Sequence, residues 1–226
     1  MVQLTVTGLF LGKVEHPWPD KGPSAIDKRQ AAGPQEVGKL GFLNDAQADL
    51  KVHGGIDKAI HHYPADHYGS WKAEGAIARG AAPAAFGENI SASGAVETDL
   101  CIGDVLRIGT ALVQVSQGRQ PCWKLNAHTG NSTMAFRFQE TGRTGWYYRV
   151  LEAGWVEKGD KISLIDRLYD EWTVHRVTNA RLTRRIEPAQ ALILSQMPEL
   201  AENWREAFAR FAKNKTDEDT APRLKG

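Results

Sequence analysis

Residues 111–126 read ALVQVSQGRQPCWKLN, an alternating run that predicts a strand, then a loop presenting Cys122 between Arg119 and Lys124. A thiol beside fixed positive charge favours the thiolate, the form that attacks electrophiles and binds metals. Pro121 fixes its own φ and pushes Gln120 toward extended geometry, so the thiol is aimed rather than floppy. Ser116, Gln117 and Asn126 are candidates to complete a polar pocket around it. Taken alone, the residue also suits a structural role, since free cysteine is among the most buried residue types. The other cysteine, Cys101, sits in the apolar run Leu100-Cys101-Ile102, where a small hydrophobe is sufficient explanation.

Outward from this stretch, turn signals recur at short intervals up to about residue 167, among them Gly54-Gly55, Gly103-Asp104, Gly109-Thr110 and Gly159-Asp160. Strands are expected at residues 2–10, at 105–108 and 112–116 about Gly109-Thr110, and at 155–156 and 161–165 about Gly159-Asp160. Helices interrupt at 66–78 and at 134–141, the latter before a terminating Gly142. Many short strands with glycine-rich turns predict a closed or strongly curved barrel. Beyond residue 168 the spacing turns helical, with helices expected at 171–181, 187–195 and 199–212. The last carries Leu200, Trp204, Ala207, Phe208 and Phe211 on one face, which reads as core. The expected organisation is a mainly β domain with helices (α+β) over residues 1–167, a three-helix appendage over 168–213, and a frayed tail over 214–226.

Composition sets limits on function. With 226 residues, 42% hydrophobic and 24% charged, the chain can bury a real core. A formal net charge of +1 gives no argument for nucleic acid or a membrane surface as partner. No apolar run approaches the roughly 18 residues that span a bilayer. Two cysteines build no disulfide framework and no secretory leader is visible, so a reduced, cytoplasmic context is expected. Cations nevertheless cluster locally: Lys21, Lys28, Arg29, Arg119 and Lys124 all lie near motif residues, where an anion would be welcome.

Three further segments offer chemistry. Lys21-Gly22-Pro23-Ser24-Ala25-Ile26-Asp27-Lys28 presents a cation, a hydroxyl and backbone N–H groups that suit phosphate oxygens, although it also reads as a solvated turn. Residues 51–63, KVHGGIDKAIHHY, hold paired glycines that let a backbone approach a ligand. The histidines at 53, 61, 62 and 67 match no zinc spacing, and on a strand His61 and His62 face opposite ways. A hydrogen-bonding or orienting role is therefore assigned to His53 or His62. In Phe86-Gly87-Glu88-Asn89-Ile90, Asn89 serves either a ligand or the turn itself.

Together these stretches (KGPSAIDK, GFLNDAQADLKVHGGIDKAIHHYP, AFGENI, IGDVLRIGTALVQVSQGRQPCWKLN and TGRTGWYYRVLEAG) resemble the MOSC domain family, named for the C-terminal domain of molybdenum cofactor sulfurases. In one bacterial subgroup of that family a three-helix module follows the domain. The resemblance implies a MOSC-type β-barrel that binds a molybdenum–pyranopterin cofactor, with Cys122 as candidate molybdenum ligand. Lys21, Ser24, Ala25, Arg119 and Lys124 would then receive phosphate or pterin atoms, and Asn89 and Asn126 would shape the pocket. It further implies reductive dehydroxylation of N-hydroxylated compounds such as base analogues, with His53 or His62 supplying a proton. The chain shows no flavin, haem or iron–sulfur signature, and two cysteines cannot supply the four thiolates of a [2Fe–2S] cluster, so electrons are expected from a separate reductase, with a small-molecule substrate as the other partner. Three other classes stay open: a cofactor carrier without turnover, a metal-free thiol enzyme pairing Cys122 with a histidine, and an interaction module with no pocket at Cys122.

Overall fold

In the computed structural model, residues 3–49, 53–215, 217 and 219–225 are described. Val2 of the expected first strand, Lys51 and Val52 of the glycine-paired segment, and part of the tail lie outside them.

Seven strands close into a barrel: β1 (Gln3–Gly12), β5 (Ile60–Pro64), β6 (Ile90–Ser93), β7 (Val105–Ile108), β8 (Ala111–Gly118), β9 (Trp146–Glu152) and β11 (Lys161–Asp166). The order is β11-β7-β8-β9-β5-β6-β1, and β1 pairs back onto β11 through Gln3↔Ser163 to Thr5↔Lys161. Closure removes the exposed edges that invite aggregation. β1 serves three partners in turn, β11, β6 and then β2 (Lys28–Gln30), and a bulge between Val6 and Gly8 supplies the bend. β5 and β6 form the parallel pair, which requires a crossover, here α1 (Asp66–Ala73) and the segment after it. β3 (Gln35–Gly38), β4 (Gly41–Phe42) and β10 (Gly154–Val156) form a separate three-stranded sheet.

The interior is filled by the inward sets of these strands, including Leu4, Val6, Ile60, Leu106, Val113, Val115 and Ile162. β8 begins in alternation, but from Val113 onward it is buried on both faces. The second cover is α4 (Val174–Thr183), and a Cβ on Gly118 would come within 1.8 Å of Thr178 Oγ1. Only a glycine lets the helix press this closely onto the strand.

The appendage comprises α4, α5 (Pro188–Gln196) and α6 (Glu202–Phe211). Thr173 caps α4 by accepting from the Arg176 amide at 3.1 Å, so this helix starts three residues later than its spacing predicts. Val177, Leu194, Trp204 and Phe208 belong to the same apolar cluster as the barrel interior. The change of pattern near residue 168 therefore marks a change of secondary structure and not a second core.

The strands expected on either side of Gly159-Asp160 are present, and they join different partners: β10 pairs with β3, and β11 with β7 and β1. Several other expectations need correction. α1 stops at Ala73, where Gly75 takes φ 65° and turns the chain away. The loop after Cys122 is a helix, α2 (Trp123–Thr129), followed by α3 (Met134–Thr141), which Gly142 ends at φ 71°. The tail expected to fray carries a further short helix, α7 (Ala221–Lys225), held against α2 by side chain to backbone hydrogen bonds.

Gly118→Ala should destabilise the fold by about 3 kcal/mol, because the added methyl overpacks the β8–α4 contact. Denaturant unfolding checks this, and adding Thr178→Ala should recover part of the loss. An unchanged midpoint in the single variant would contradict the packing.

Candidate active site

The site begins where β8 leaves the barrel. Gly118 lies opposite Trp146, the Arg119 amide donates to the Gly145 carbonyl at 3.0 Å, and after Pro121 the chain enters α2 with Cys122 at its N-cap. α2 is anchored by Leu125, which is fully buried in a second apolar cluster with Tyr63, Trp71, Phe86 and Phe138. That anchor aims the residue at the helix start.

Cys122 is 8% exposed and lines a cleft with about 570 Å³ of empty space including its open mouth. Around it converge Lys28, Lys58, Arg119 and Lys124 as cations, His53 and His61 as imidazoles, and Tyr147. Residues Ser24, Ala25 and Ile26 form one wall; the Ile26 amide donates to Ser24 Oγ at 3.3 Å, and Lys124 Nζ fastens the wall by donating to the Pro23 carbonyl at 3.0 Å. Lys28 is already engaged: it donates to both oxygens of buried Asp45, at 2.5 and 2.6 Å.

Burial governs the titrations. His53 is pushed down to about 4, first by desolvation and then by repulsion from Lys124, Arg119 and Lys58. His61 is held well below its usual value by desolvation and then by Arg119. Lys58 is lowered by burial despite the attraction of Asp57, Asp49 and Cys122. Burial raises Tyr147. At neutral pH the cleft therefore holds uncharged imidazoles among several cations, a field that favours an anion.

The residues singled out in the sequence divide into groups. Cys122, Arg119, Lys124, Ser24, Ala25 and His53 meet in the cleft, and so does Asn89. Asn89, however, is spent on the scaffold. Its Nδ2 donates to Asp45 Oδ2 at 2.8 Å and to the Phe10 carbonyl at 3.2 Å, and its Oδ1 accepts from the His61 amide at 3.1 Å. Lys21 lies outside the lining, exposed over the Trp123 ring at 4.3 Å. Asn126 points away: it accepts from the Ala135 amide at 2.7 Å and donates to the Leu224 carbonyl at 3.3 Å, binding α2 to α3 and α7. Ser116 donates to the Asp57 and Tyr147 carbonyls and, like Gln117, is absent from the lining.

His62 corrects the assignment of a proton donor. It is fully buried, stacked on Trp146 at 4.3 Å and bonded through Nδ1 to the Tyr148 hydroxyl at 3.0 Å. Desolvation lowers it to about 3. It is a core group, and its neighbour His61 faces the cleft instead. Strand alternation separates the two but does not say which side is the core. Lys28, noted among the local cations, lines the cleft as well; Lys58, Asp45, His61 and Tyr147 were not singled out as site residues. The glycine pair before Lys58 was the available signal for that cation, and Asp45 carried none.

The donor set fits an anionic, thiol-ligated group. Cys122 offers sulfur, and buried Arg119 Nη1 has no hydrogen-bond partner among the described residues. An N–H removed from water with no acceptor costs about 1–3 kcal/mol, which a ligand oxygen would recover.

Comparison with known proteins agrees with this architecture. Residues 49–163 match the MOSC domain family. The chain is 42% identical over 163 residues to protein YiiM of Escherichia coli (strain K12), covering 72% of each. A crystal structure of YiiM from Escherichia coli superposes with a TM-score of 0.82 at 31% identity, covering 100% of both chains. A protein named "Reductase" from Gibberella moniliformis is 37% identical over 177 residues, which are 77% of this chain but 31% of that protein. The chain thus belongs to the MOSC domain family. Domains of this family are associated with binding of the molybdenum cofactor.

His61 and His62 together predict an acid-labile fold. Both are lowered in the folded state from an ordinary value of 6.5. The unfolded chain then takes up protons that the folded chain refuses, so this stability is full above pH 6.5 and falls as pH drops toward 4. The slope is about 1.4 kcal/mol per pH unit for each such histidine. Urea midpoints at pH 7.5, 6 and 5 should fall in that order, and His62→Phe should flatten the trend by about one histidine's share. A pH-independent midpoint would contradict the burial of both rings.

Proposed function

We propose that the cleft holds a molybdenum–pyranopterin cofactor and that the protein reductively dehydroxylates N-hydroxylated compounds, taking electrons from a separate reductase. The observation that carries this reading is the Cys122 thiol opening into a cleft walled by Lys58, Arg119 and Lys124. Family membership and the similarity to a protein named as a reductase support it.

Cys122 Sγ would be the protein's thiolate ligand to the metal, a role for which a soft sulfur donor is suited. Arg119, Lys124 and Lys58 would hold the phosphate and pterin oxygens. Arginine presents a planar fork that matches an oxyanion in two places, whereas lysine acts as a point charge. Backbone groups of Ser24 and Ala25 would line the same ligand. When bound, the cofactor supplies a two-electron redox centre. Reduction of an N–OH group to N–H consumes two electrons and two protons and releases water. His53, at about 4, is uncharged at neutral pH. In the ligand-free cleft it is therefore a hydrogen-bond partner that would orient substrate, and an anion bound among Lys58, Arg119 and Lys124 would raise it toward the range of a proton donor.

The test is elemental analysis of protein made in a host that synthesises the pterin, together with turnover of an N-hydroxylated base driven by a reduced viologen dye. Cys122→Ala should abolish molybdenum-dependent turnover and leave the thermal midpoint within a few degrees. Arg119→Lys should retain about tenfold less cofactor after dialysis, because the fork geometry is lost. Molybdenum bound without dye oxidation would reduce the reading to a carrier. Wild-type turnover in Cys122→Ala would overturn it.

A further inference from the structure

The polypeptide around Cys122 is held from a side remote in sequence. α7 lies against α2, and Arg223 Nη1 donates to the carbonyl of Pro121, the peptide unit that precedes the thiol residue. Its other terminal nitrogen donates to Gln139 Oε1 on α3 at 3.1 Å. One residue on, the Leu224 carbonyl accepts from Asn126 Nδ2 at 3.3 Å, while Asn126 Oδ1 accepts the Ala135 amide at 2.7 Å. Asp219 Oδ1 accepts the Ala221 amide at 2.9 Å and helps to start the short helix. Thus a segment 102 residues away in sequence makes a charge-assisted hydrogen bond to the carbonyl immediately before Cys122.

We propose that α7 is a latch on the thiol loop, with Arg223 as a positioning residue that acts on Cys122 through the Pro121 peptide. The guanidinium ties the residue before the N-cap to α3, so the start of α2 cannot swing relative to the apolar cluster that anchors its far side at Leu125 and Phe138. A five-residue helix has little intrinsic stability. The latch therefore depends on its tertiary contacts and opens far below the free energy of global unfolding. Opening releases Pro121 and loosens the wall of the cleft, so the tail controls access to Cys122 and the escape of whatever its sulfur holds. The access arm stands on geometry alone; the retention arm rests on the cofactor reading above.

The test uses the full-length chain as wild type, Arg223→Ala and Arg223→Lys. In apoprotein, alkylation by iodoacetamide is followed at Cys122 by peptide mass spectrometry, with buried Cys101 as internal reference. Arg223→Ala should raise the Cys122 rate about tenfold with Cys101 unchanged, as expected when a local opening and not global unfolding is eased. Arg223→Lys, keeping a single donor for the Pro121 carbonyl, should fall between. In protein loaded with molybdenum, the alanine variant should lose metal on dialysis several-fold faster than wild type. Equal rates at Cys122 in all three proteins would overturn the latch. If wild type binds no molybdenum, the cofactor reading fails while the alkylation rates still decide the role of α7.

Discussion

The geometry of the site depends on how β8 leaves the barrel. At Gly118 the strand is pressed between the pairing with Trp146 and the underside of α4, with no room for a side chain. One residue later the Arg119 amide is still fixed to Gly145. Pro121 then ends extended structure and Leu125 draws α2 into an apolar cluster. Within a few residues a strand end, a buried cation and a thiol are placed on rigid supports. Such placement is what a ligand-binding constellation requires, because a loose supporting shell costs geometry before it costs stability.

The cleft concentrates cations that the net charge of +1 conceals. Asp45 neutralises Lys28 and accepts from Asn89 Nδ2 and the Gly12 amide, so this carboxylate braces the site. Lys58, Arg119 and Lys124 line the same space. Burial lowers Lys58 and leaves Arg119 Nη1 without an acceptor among the described residues. Desolvated positive groups of this kind are costly in the free protein, and an anionic ligand offsets the cost. The neutral state of His53 follows first from its own desolvation and then from the same field.

Barrel and appendage are one mechanical unit. Trp204 and Phe208 of α6 and Val177 of α4 lie in the cluster that fills the barrel. Arg149 on β9 reinforces this by bonding both Asp57 at 2.6 Å and the Pro198 carbonyl at 3.3 Å, while Asp57 accepts from the Glu202 amide. The turn that carries Lys58 is thereby tied to the helices, and the site is sensitive to the packing of a module that contributes no lining residue.

Much of this was written in local pattern. Alternation and turn glycines located β7 and β8, helical spacing and Gly142 located α3, and the Pro-Cys loop between cations marked the thiol, because these signals act between near neighbours. A barrel was expected from the many short strands and glycine turns, but the particular pairs that close it (β1 with β11), the partner of β10 and the shared core were not legible, since pairing across more than a hundred residues leaves no trace in a local window. The same limit explains the histidines: alternation put His61 and His62 on opposite faces, but only the packing of Trp146 and Tyr148 made one of them core. Asn89 and Asn126 looked like ligands because their chemistry suits ligands, and the folded chain spends both on its own backbone. The sequence by itself determined which residue types could meet a phosphorylated, sulfur-ligated group. Tertiary structure alone decided which of them face the same space, because orientation is set by long-range packing and not by residue identity.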